Sequence, residues 1–168
     1  SLRLTNTYGP RHPMKNPGQG VFPWFIRQAI LGENLKRYGG GEFLRDCNYV
    51  GDVVEAMLMA MASVKTNGQV YNLGAGLRTE DGRIEQVGGN VKTIREASDE
   101  VVRVAKNGNC IDVPYNPELE KIDPGHFYAD ISKIYRDIGW KPQTSLEEGI
   151  RKTVEFYRQP ENFEHYLK

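Results

Sequence analysis

The sequence predicts an α/β fold with a mostly parallel sheet. Segments with apolar residues at helical spacing alternate with short strand-like runs, the pattern that βα units give. Two such runs, residues 2–4 and 69–73, lie far apart in the sequence, which favours parallel pairing because parallel strands need a long crossover connection. The 168 residues are enough for one ordinary domain with a buried core.

The first half of the chain contains two predicted helices. The opening SLRLTNTYGP alternates Leu2 and Leu4 with polar residues and then turns, as a buried strand does where it enters a loop. Apolar residues over 22–30 recur at helical spacing, and Gly32 ends this helix. LKRYGGGEFLRDCNYV is typical of two short strands around a glycine turn. A second apolar stripe over 53–64 predicts a helix whose methionines fill core gaps.

The second half repeats this alternation. QVYNLG and CIDVPY are predicted strands, and apolar spacing predicts helices over 94–105 and 131–138, the latter closed by Gly139. SLEE has the capping-box pattern and opens a last helix with apolar residues over 146–157. The polar, glycine-rich segment between residues 78 and 92 predicts a surface loop or a small hairpin.

Composition disfavours several classes of partner. Lys plus Arg equals Asp plus Glu at 22 each, so no net charge favours nucleic acid. The longest apolar run, residues 56–62, is far too short to span a bilayer. Cys47 and Cys110 lie far apart with no metal-ligand spacing, which indicates reduced core thiols and no metal site. We therefore expect a cytoplasmic protein without nucleic-acid or membrane partners.

No complete catalytic constellation is present in the sequence. VYNLGAGLRT imitates a dinucleotide fingerprint, but Thr79 stands where a third small residue would allow close packing of helix and strand. No amphipathic helix follows it, so we predict a strand-end turn. The three histidines lie in predicted loops or the tail with no nucleophile nearby, and no Tyr has a Lys four positions later.

Arg45 is the most informative charged residue, because it lies inside an apolar stretch. A buried guanidinium must be paired or hydrogen-bonded. One interpretation is an internal ion pair with Asp46 or Asp52. The other is an anion clamp, since the guanidinium fork matches phosphate oxygens and Lys36 and Arg37 lie nearby. Local sequence supports both interpretations about equally.

Three spaced motifs occur in order along the chain: R-x-x-N-x-Y-G-P, then G-x-x-x-x-R-D-x-x-Y-V-x-D, then A-D-x-S-K-x-x-x-x-x-G-W-x-P. Together with VYNLGAG they make nearly the whole chain resemble the carboxy-terminal, substrate-binding half of extended short-chain dehydrogenase/reductases. The resemblance is to the NAD-dependent nucleotide-sugar epimerases and dehydratases, UDP-glucose 4-epimerase-like proteins among them.

The resemblance implies late strands of a Rossmann sheet together with a small mixed α/β substrate-binding domain. It implies that residues 1–168 are a single substrate-binding fragment. The amino-terminal NAD-binding part, with its glycine-rich loop and Tyr-x-x-x-Lys pair, is then expected before Ser1. NAD is the cofactor of the complete family enzyme, and we expect none to bind tightly to this chain alone.

The resemblance also implies substrate-binding roles for individual residues. Asn6 matches an asparagine that contacts the substrate near its sugar and phosphates. Lys36 and Tyr38 fall where the nucleotide base is held, and Arg45 matches the arginine that grips the diphosphate. Phe127 falls where a side chain borders the sugar.

Four further positions follow from the same resemblance. Val21 and Phe22 open the helix whose N-terminus lies near the phosphates, and Leu4 matches a position that touches the nicotinamide end of the cofactor. The family commonly has a second phosphate arginine in the region of Lys121. Two interpretations of Lys121 stay open, a point-charge substitute, which we favour slightly, and a solvated side chain. His126 replaces the usual acid, so its local pairing is open.

Two hypotheses follow. In the first, the chain is the nucleotide-sugar-binding portion of an NAD-dependent epimerase or dehydratase, an isomerase or a lyase, and is inactive alone. Its partners are then a nucleoside-diphosphate sugar and the missing amino-terminal domain. In the second, it is a stand-alone, non-enzymatic α/β binding or assembly module that forms a homodimer through open sheet edges. The sequence does not indicate the base, the sugar or the role of the insert 80–91.

Overall fold

The computed structural model of the chain describes residues 1–88, 90–115, 117–121 and 123–167, and within these the side chains of all residues except Gln19 and Leu119. Helices and strands alternate, as predicted. The strands are β1 (Leu2–Leu4), β2 (Thr7–Tyr8), β3 (Asn34–Tyr38), β4 (Leu44–Asp46), β5 (Asn48–Tyr49), β6 (Tyr71–Leu73), β7 (Leu77–Glu80), β8 (Arg83–Gln86), β9 (Val91–Thr93) and β10 (Asn109–Val113). The helices are α1 (Val21–Leu31), α2 (Val50–Met61), α3 (Ile94–Ala105), α4 (Pro117–Glu120), α5 (Ser132–Ile138), α6 (Leu146–Arg158) and α7 (Pro160–Tyr166).

The described strands form five two-stranded pairs instead of the single, mostly parallel sheet that the sequence suggested. Three pairs are parallel: β1 with β6, β2 with β5, and β3 with β10. The predicted pairing of the two distant strands is confirmed, with Leu2 opposite Tyr71 and Leu4 opposite Leu73. The strands on either side of the glycine turn exist, but β3 pairs with β10, and β4 pairs antiparallel with β9.

Several helix boundaries have a local cause in the sequence. Gly32 ends α1 in the left-handed conformation and donates its N–H to the last turn. Thr93 and Glu96 form a complete capping box at α3. Ser145 accepts a hydrogen bond from the Glu148 amide at the start of α6, as SLEE predicted. Helix α7 was not predicted; Pro160 at its first turn suits a helix start.

The core has two parts. The larger packs α1, α3 and α6 around aromatic side chains such as Tyr8 and Tyr157. The smaller packs α2 and α5 around Tyr71 and Trp140, and the indole Nε1–H of Trp140 donates to the Asp52 carbonyl 3.1 Å away. Residues of α6 contribute to the larger part, and residues of α5 contribute to the smaller one.

The methionine stripe of α2 is not core, and our prediction was wrong. Val53 and Ala56 are buried, but Met57 is 40% exposed, Met61 84% and Val64 84%. Apolar spacing alone identifies one face of a helix but not what covers it. Within the described residues nothing packs over the outer part of this face.

The segment between β6 and β9 is a hairpin, one of the two forms expected for it. Strands β7 and β8 pair antiparallel, with Leu77 opposite Gln86 and Glu80 opposite Arg83. Of the insert 80–91, Gly89 lies outside the described residues. No helix in the described part of the chain is long and apolar enough to cross a bilayer.

Candidate functional site

A cavity of about 260 Å³ opens between the start of α1, β3 and β4. Among the described residues its walls are largely apolar and aromatic, with three charged groups. The lining residues are Val21, Phe25, Lys36, Tyr38, Arg45, Ile94, Tyr115 and Asp123. Four of the predicted site residues, namely Val21, Lys36, Tyr38 and Arg45, therefore meet here, although their roles in binding remain predictions.

Strand alternation brings Lys36 and Tyr38 to this cavity. In β3, Leu35 and Arg37 are buried while Lys36 and Tyr38 are on the opposite, exposed face. Arg37 is held away by ion pairs with Asp99 at 2.8 Å and Asp112 at 2.7 Å. The two cations that are adjacent in the sequence therefore have separate surroundings, and only Lys36 lines the cavity.

Arg45 is paired internally, but with neither of the carboxylates that the sequence suggested. Its Nη2 lies 2.8 Å from Oδ1 of Asp123, and its Nη1 donates to the carbonyls of Leu44, at 2.9 Å, and of Gly125. Asp46 and Asp52 are engaged elsewhere: Asp46 accepts backbone N–H groups, and Asp52 accepts from Thr144. Arg45 nevertheless lines the cavity together with Tyr38.

Asp123 connects Arg45 to Tyr115. Its Oδ1 also accepts the Gly125 amide at 2.9 Å, and its Oδ2 accepts the Tyr115 hydroxyl. Burial opposes ionisation of Asp123, but the hydrogen bonds from Tyr115, Gly125 and Arg45 outweigh it and hold the pKa of this carboxyl below its ordinary value. Burial, and next the carboxylate, raise the pKa of Tyr115 to about 12. Both groups are therefore in their ordinary charge states at neutral pH.

The Tyr115 ring forms an aromatic wall of the cavity. Its centroid lies 6.4 Å from that of Tyr38 and 6.3 Å from that of Phe43. Gly39, at a φ of 57°, passes directly beside the ring, where a side chain would overlap it. The glycine turn after β3 therefore allows Tyr115 to reach the cavity.

A second cavity, of about 350 Å³, lies beside β1 and the start of α1. Its lining residues are Leu4, Thr5, Asn6, Thr7, His12, Gly20, Val21, Phe22 and Pro23. Asn6 thus lines a cavity other than the one that Tyr38 and Arg45 line, although the resemblance implies substrate-binding roles for all three. Val21 lines both, so the two cavities share the first residue of α1.

The first turn of α1 has the polarity that an anion prefers. Gly20 is the N-cap at a φ of 121°, it supplies no capping side chain, and the first turn carries no acidic residue. The N-terminus of an 11-residue helix carries a partial positive charge. The two cavities therefore have two positive features, the α1 terminus and, in the first cavity, the Lys36 and Arg45 side chains.

Lys121 and Phe127 line neither of these two cavities. Lys121 is exposed in the turn that follows α4. Phe127 is 44% exposed and tied to β4, where its N–H donates to the Leu44 carbonyl at 3.0 Å. His126 finds its partner in the same strand, since its Nδ1 accepts the Leu44 N–H at 3.1 Å. In the region where we expected a second phosphate-binding cation, the carboxylate of Asp123 instead pairs with Arg45.

The described residues do not form a cradle for a dinucleotide. The glycine turn after β6 leads into the β7–β8 hairpin and not into a helix whose N-terminus could hold a pyrophosphate. Leu4, predicted to touch the nicotinamide, is half exposed at the edge of the second cavity. Nor does the described part of the chain contain a cluster of three or more His, Cys, Asp or Glu suited to a metal.

Sequence reasoning missed four lining residues: Phe25, Ile94, Tyr115 and Asp123. A signal existed for Tyr115, because it follows a strand that could pair with β3. Asp123 begins an Asp-Pro-Gly turn, and such turns place a carboxylate near backbone amides. Neither signal indicates that the side chain meets Arg45, which depends on a contact across 78 residues.

The family model described as GDP-mannose 4,6 dehydratase matches residues 1–153. A UDP-N-acetyl-alpha-D-glucosaminuronate decarboxylase of Bacillus cytotoxicus is 32% identical over 167 residues, which is 96% of this chain and 46% of the relative. A dTDP-glucose 4,6-dehydratase of Escherichia coli K12 is 36% identical over 159 residues, 91% of this chain and 39% of the relative. The chain spans about half the length of the curated relatives it matches.

Solved structures agree with these matches. A UDP-glucose 4-epimerase of Thermotoga maritima, solved with UDP-glucose, superposes with a TM-score of 0.69 at 30% identity and covers 94% of this chain and 45% of its own. An epimerase of Methanothermobacter thermautotrophicus reaches a TM-score of 0.78 at 22% identity, covering 98% of this chain and 44% of its own. At that identity the second similarity shows the fold alone.

Proposed function

This chain belongs to the GDP-mannose 4,6-dehydratase family of extended short-chain dehydrogenases, the NAD-dependent nucleotide-sugar epimerases and dehydratases, and we propose that it is the nucleotide-sugar-binding portion of such an enzyme. One observation carries the proposal: Lys36 and Arg45 line an aromatic-walled cavity that shares Val21, the first residue of α1, with the cavity of Asn6. The protein is then divided into a binding portion and a redox portion.

The first cavity suits the nucleoside part of the ligand. Val21, Phe25 and Ile94 provide an apolar surface, and Tyr38 and Tyr115 provide aromatic faces and edges against which a flat base packs. The Tyr38 side chain is itself 40% exposed, so it is available to a ligand that enters from solvent. The T. maritima epimerase was solved with UDP-glucose, which supports a ligand of this class here.

The charged groups suit the diphosphate. Arg45 offers a planar fork and Lys36 a flexible ammonium, and these two geometries are complementary for a group with several oxygens. The α1 terminus, where the two cavities share Val21, adds a third favourable interaction. The sugar then extends toward Asn6, whose amide can donate to and accept from hydroxyl groups.

Binding at a distance from the reacting carbon is the contribution we assign to these residues. Contacts to base and diphosphate fix the sugar in position, and such binding energy lowers the barrier only if the reacting group is held in register. Hydride transfer belongs to the redox portion in this proposal, so we expect the 168-residue chain alone to bind ligand without turning it over. The free thiols of Cys47 and Cys110 support a cytoplasmic location.

Calorimetric titration with UDP, dTDP, GDP and the matching nucleosides tests the proposal. We expect one or more diphosphates to bind, the nucleoside to bind more weakly, and Arg45→Ala to weaken diphosphate binding about tenfold or more. Arg103→Ala is the matched control, because Arg103 is an exposed arginine whose partners are Glu100 and Glu147. Diphosphate binding that Arg45→Ala leaves unchanged, or product formed by this chain alone from NAD and UDP-glucose, contradicts the proposal.

The second candidate, an assembly module, is favoured by the uncovered face of α2. Leu58 is 61% exposed and Met61 is 84% exposed. Single exposed apolar residues are ordinary on a protein surface, but a contiguous row of them indicates a partner. We expect sedimentation to show concentration-dependent association that Leu58→Lys abolishes without lowering the melting temperature. Glu55→Gln, on the same helix, also raises the net charge by one and is the control for charge. A chain that stays monomeric at high concentration excludes the homodimer.

A further inference from the structure

The ion pair inside the first cavity points to a residue that sets how tightly the site binds anions. We propose that Asp123 is a built-in competitor that occupies Arg45 when no ligand is bound, and that a diphosphate binds by displacing its carboxylate. This inference rests on the proposed function. It assigns Asp123 a role that opposes binding, the reverse of the roles of the residues around it.

The hydrogen bonds that Arg45 already makes limit where a phosphate can bind to its guanidinium. Both backbone carbonyls that hold the guanidinium, Leu44 and Gly125, accept from Nη1. Nη2 is the terminal nitrogen that donates to Asp123, at 2.8 Å. Bidentate recognition of phosphate uses two nitrogens of the fork, so an anion that approaches from the cavity meets the position that the carboxylate already holds.

The carboxylate is held in that position by more than Arg45. The Gly125 amide donates to Oδ1 at 2.9 Å and the Tyr115 hydroxyl donates to Oδ2, and the side chain is only 19% exposed. The segment that carries Asp123 is fastened to β4, since the Phe127 N–H donates to Leu44 and the Leu44 N–H donates to His126. Displacement therefore requires a local movement of residues 123–127 or a rotation of the Asp123 side chain.

The charges that line the cavity favour replacement of the Asp123 carboxylate by a diphosphate. Within the described part of the chain, Lys36, Arg45 and Asp123 are the charged residues that line the cavity, and the carboxylate cancels one of the two positive charges. A carboxylate and a phosphate a few ångströms apart repel each other strongly where little water screens them. A diphosphate succeeds because its oxygens can replace the carboxylate on Arg45 while other oxygens reach Lys36. A ligand with a single carboxylate has no such advantage over Asp123.

The decisive experiment compares Asp123→Asn with the unchanged chain in titrations with UDP, inorganic pyrophosphate and uridine. Asparagine keeps the size of the side chain but removes its charge. We expect UDP and pyrophosphate to bind about tenfold more tightly and uridine to bind as before. Asp81→Asn is the matched control: it changes net charge equally, at the exposed turn of the β7–β8 hairpin, where asparagine tolerates the φ of 50°.

A second variant, Tyr115→Phe, tests the inference if Asp123→Asn does not fold. Tyr115→Phe removes one donor to the carboxylate but keeps the ring, so we expect UDP to bind about twofold to threefold more tightly. Equal or weaker UDP and pyrophosphate binding by a folded Asp123→Asn, or by Tyr115→Phe where Asp123→Asn does not fold, overturns the inference and identifies Asp123 as a residue that only orients Arg45.

The outcomes also separate this inference from the function on which it rests. If the unchanged chain binds UDP and the variants bind no better, only the inference fails. If Asp123→Asn tightens pyrophosphate binding but UDP binds no better than pyrophosphate, the inference holds and the nucleotide-sugar assignment fails. If neither chain binds UDP or pyrophosphate, both fail.

Discussion

The buried carboxylate of Asp46 accepts a hydrogen bond from the Ala129 amide 2.8 Å away, although the two residues are 83 positions apart. Its other oxygen accepts the Ala75 amide at 3.0 Å. Burial raises the pKa of Asp46, and the two amides only partly offset that effect. Asp46 therefore joins β4 to the turn after β6 and to the segment before α5, and it fixes the strand that carries Arg45.

Replacement of Asp46 tests this connection. Asp46→Ala leaves two buried N–H groups without their acceptor, so we expect the free energy of unfolding to fall by about 2 to 4 kcal/mol. Urea denaturation measures it. Glu155→Ala, which removes an exposed carboxylate paired with Arg151, is the control and should cost less than about 1 kcal/mol. Equal losses in the two variants would contradict the structural role of Asp46.

Two buried tyrosines offer an opposite pair of predictions. The Tyr8 hydroxyl is buried without a hydrogen-bond partner among the described residues, whereas the Tyr157 hydroxyl donates to the His12 carbonyl at 2.8 Å. We expect Tyr8→Phe to leave stability unchanged or raise it by up to about 1 kcal/mol, and Tyr157→Phe to lower it by about 1 kcal/mol. Thermal unfolding of both variants checks the signs, and a clear loss for Tyr8→Phe would refute the first.

Replacement of Gly39 tests whether the position of the Tyr115 ring shapes the ligand site. Gly39→Ala introduces a side chain that overlaps the Tyr115 ring, so we expect lower stability and weaker UDP binding. Gly68→Ala is the matched control: its φ of 71° brings the same backbone strain, about 1 kcal/mol, but no atom lies within 4 Å of the added group. Unaltered UDP binding by Gly39→Ala would show that the ring does not shape the site.

Asp123 predicts a dependence of stability on pH. Its pKa is lower in the folded chain than the ordinary value of 3.8, so the folded state binds fewer protons there than the unfolded state. The stabilisation is complete above the ordinary pKa and is lost as pH falls through the lowered one. We expect Asp123→Asn to be less stable than the unchanged chain by about 1 to 3 kcal/mol at pH 7, and the difference to shrink below about pH 4. A difference that is constant with pH would contradict this.

The sequence by itself determined the alternation of helices and strands, the main helix boundaries and the family. Helix periods, Gly32 and the Ser145 cap are local, and local chemistry decides where a helix begins and ends. It also indicated that a buried Arg45 must have partners, because an unpaired buried charge is too costly. The sequence did not identify the partners of Arg45.

Only the tertiary structure decided which groups meet. Asp123 and not the neighbouring Asp46 pairs with Arg45, and Asn6 lies in a second cavity, because chain crossovers and strand pairings set these distances. The sequence did not predict the exposure of Met61 either, because an apolar stripe identifies one face of a helix but not what packs against it. Contacts between residues tens of positions apart depend on how all the elements pack at once, and no local pattern encodes that.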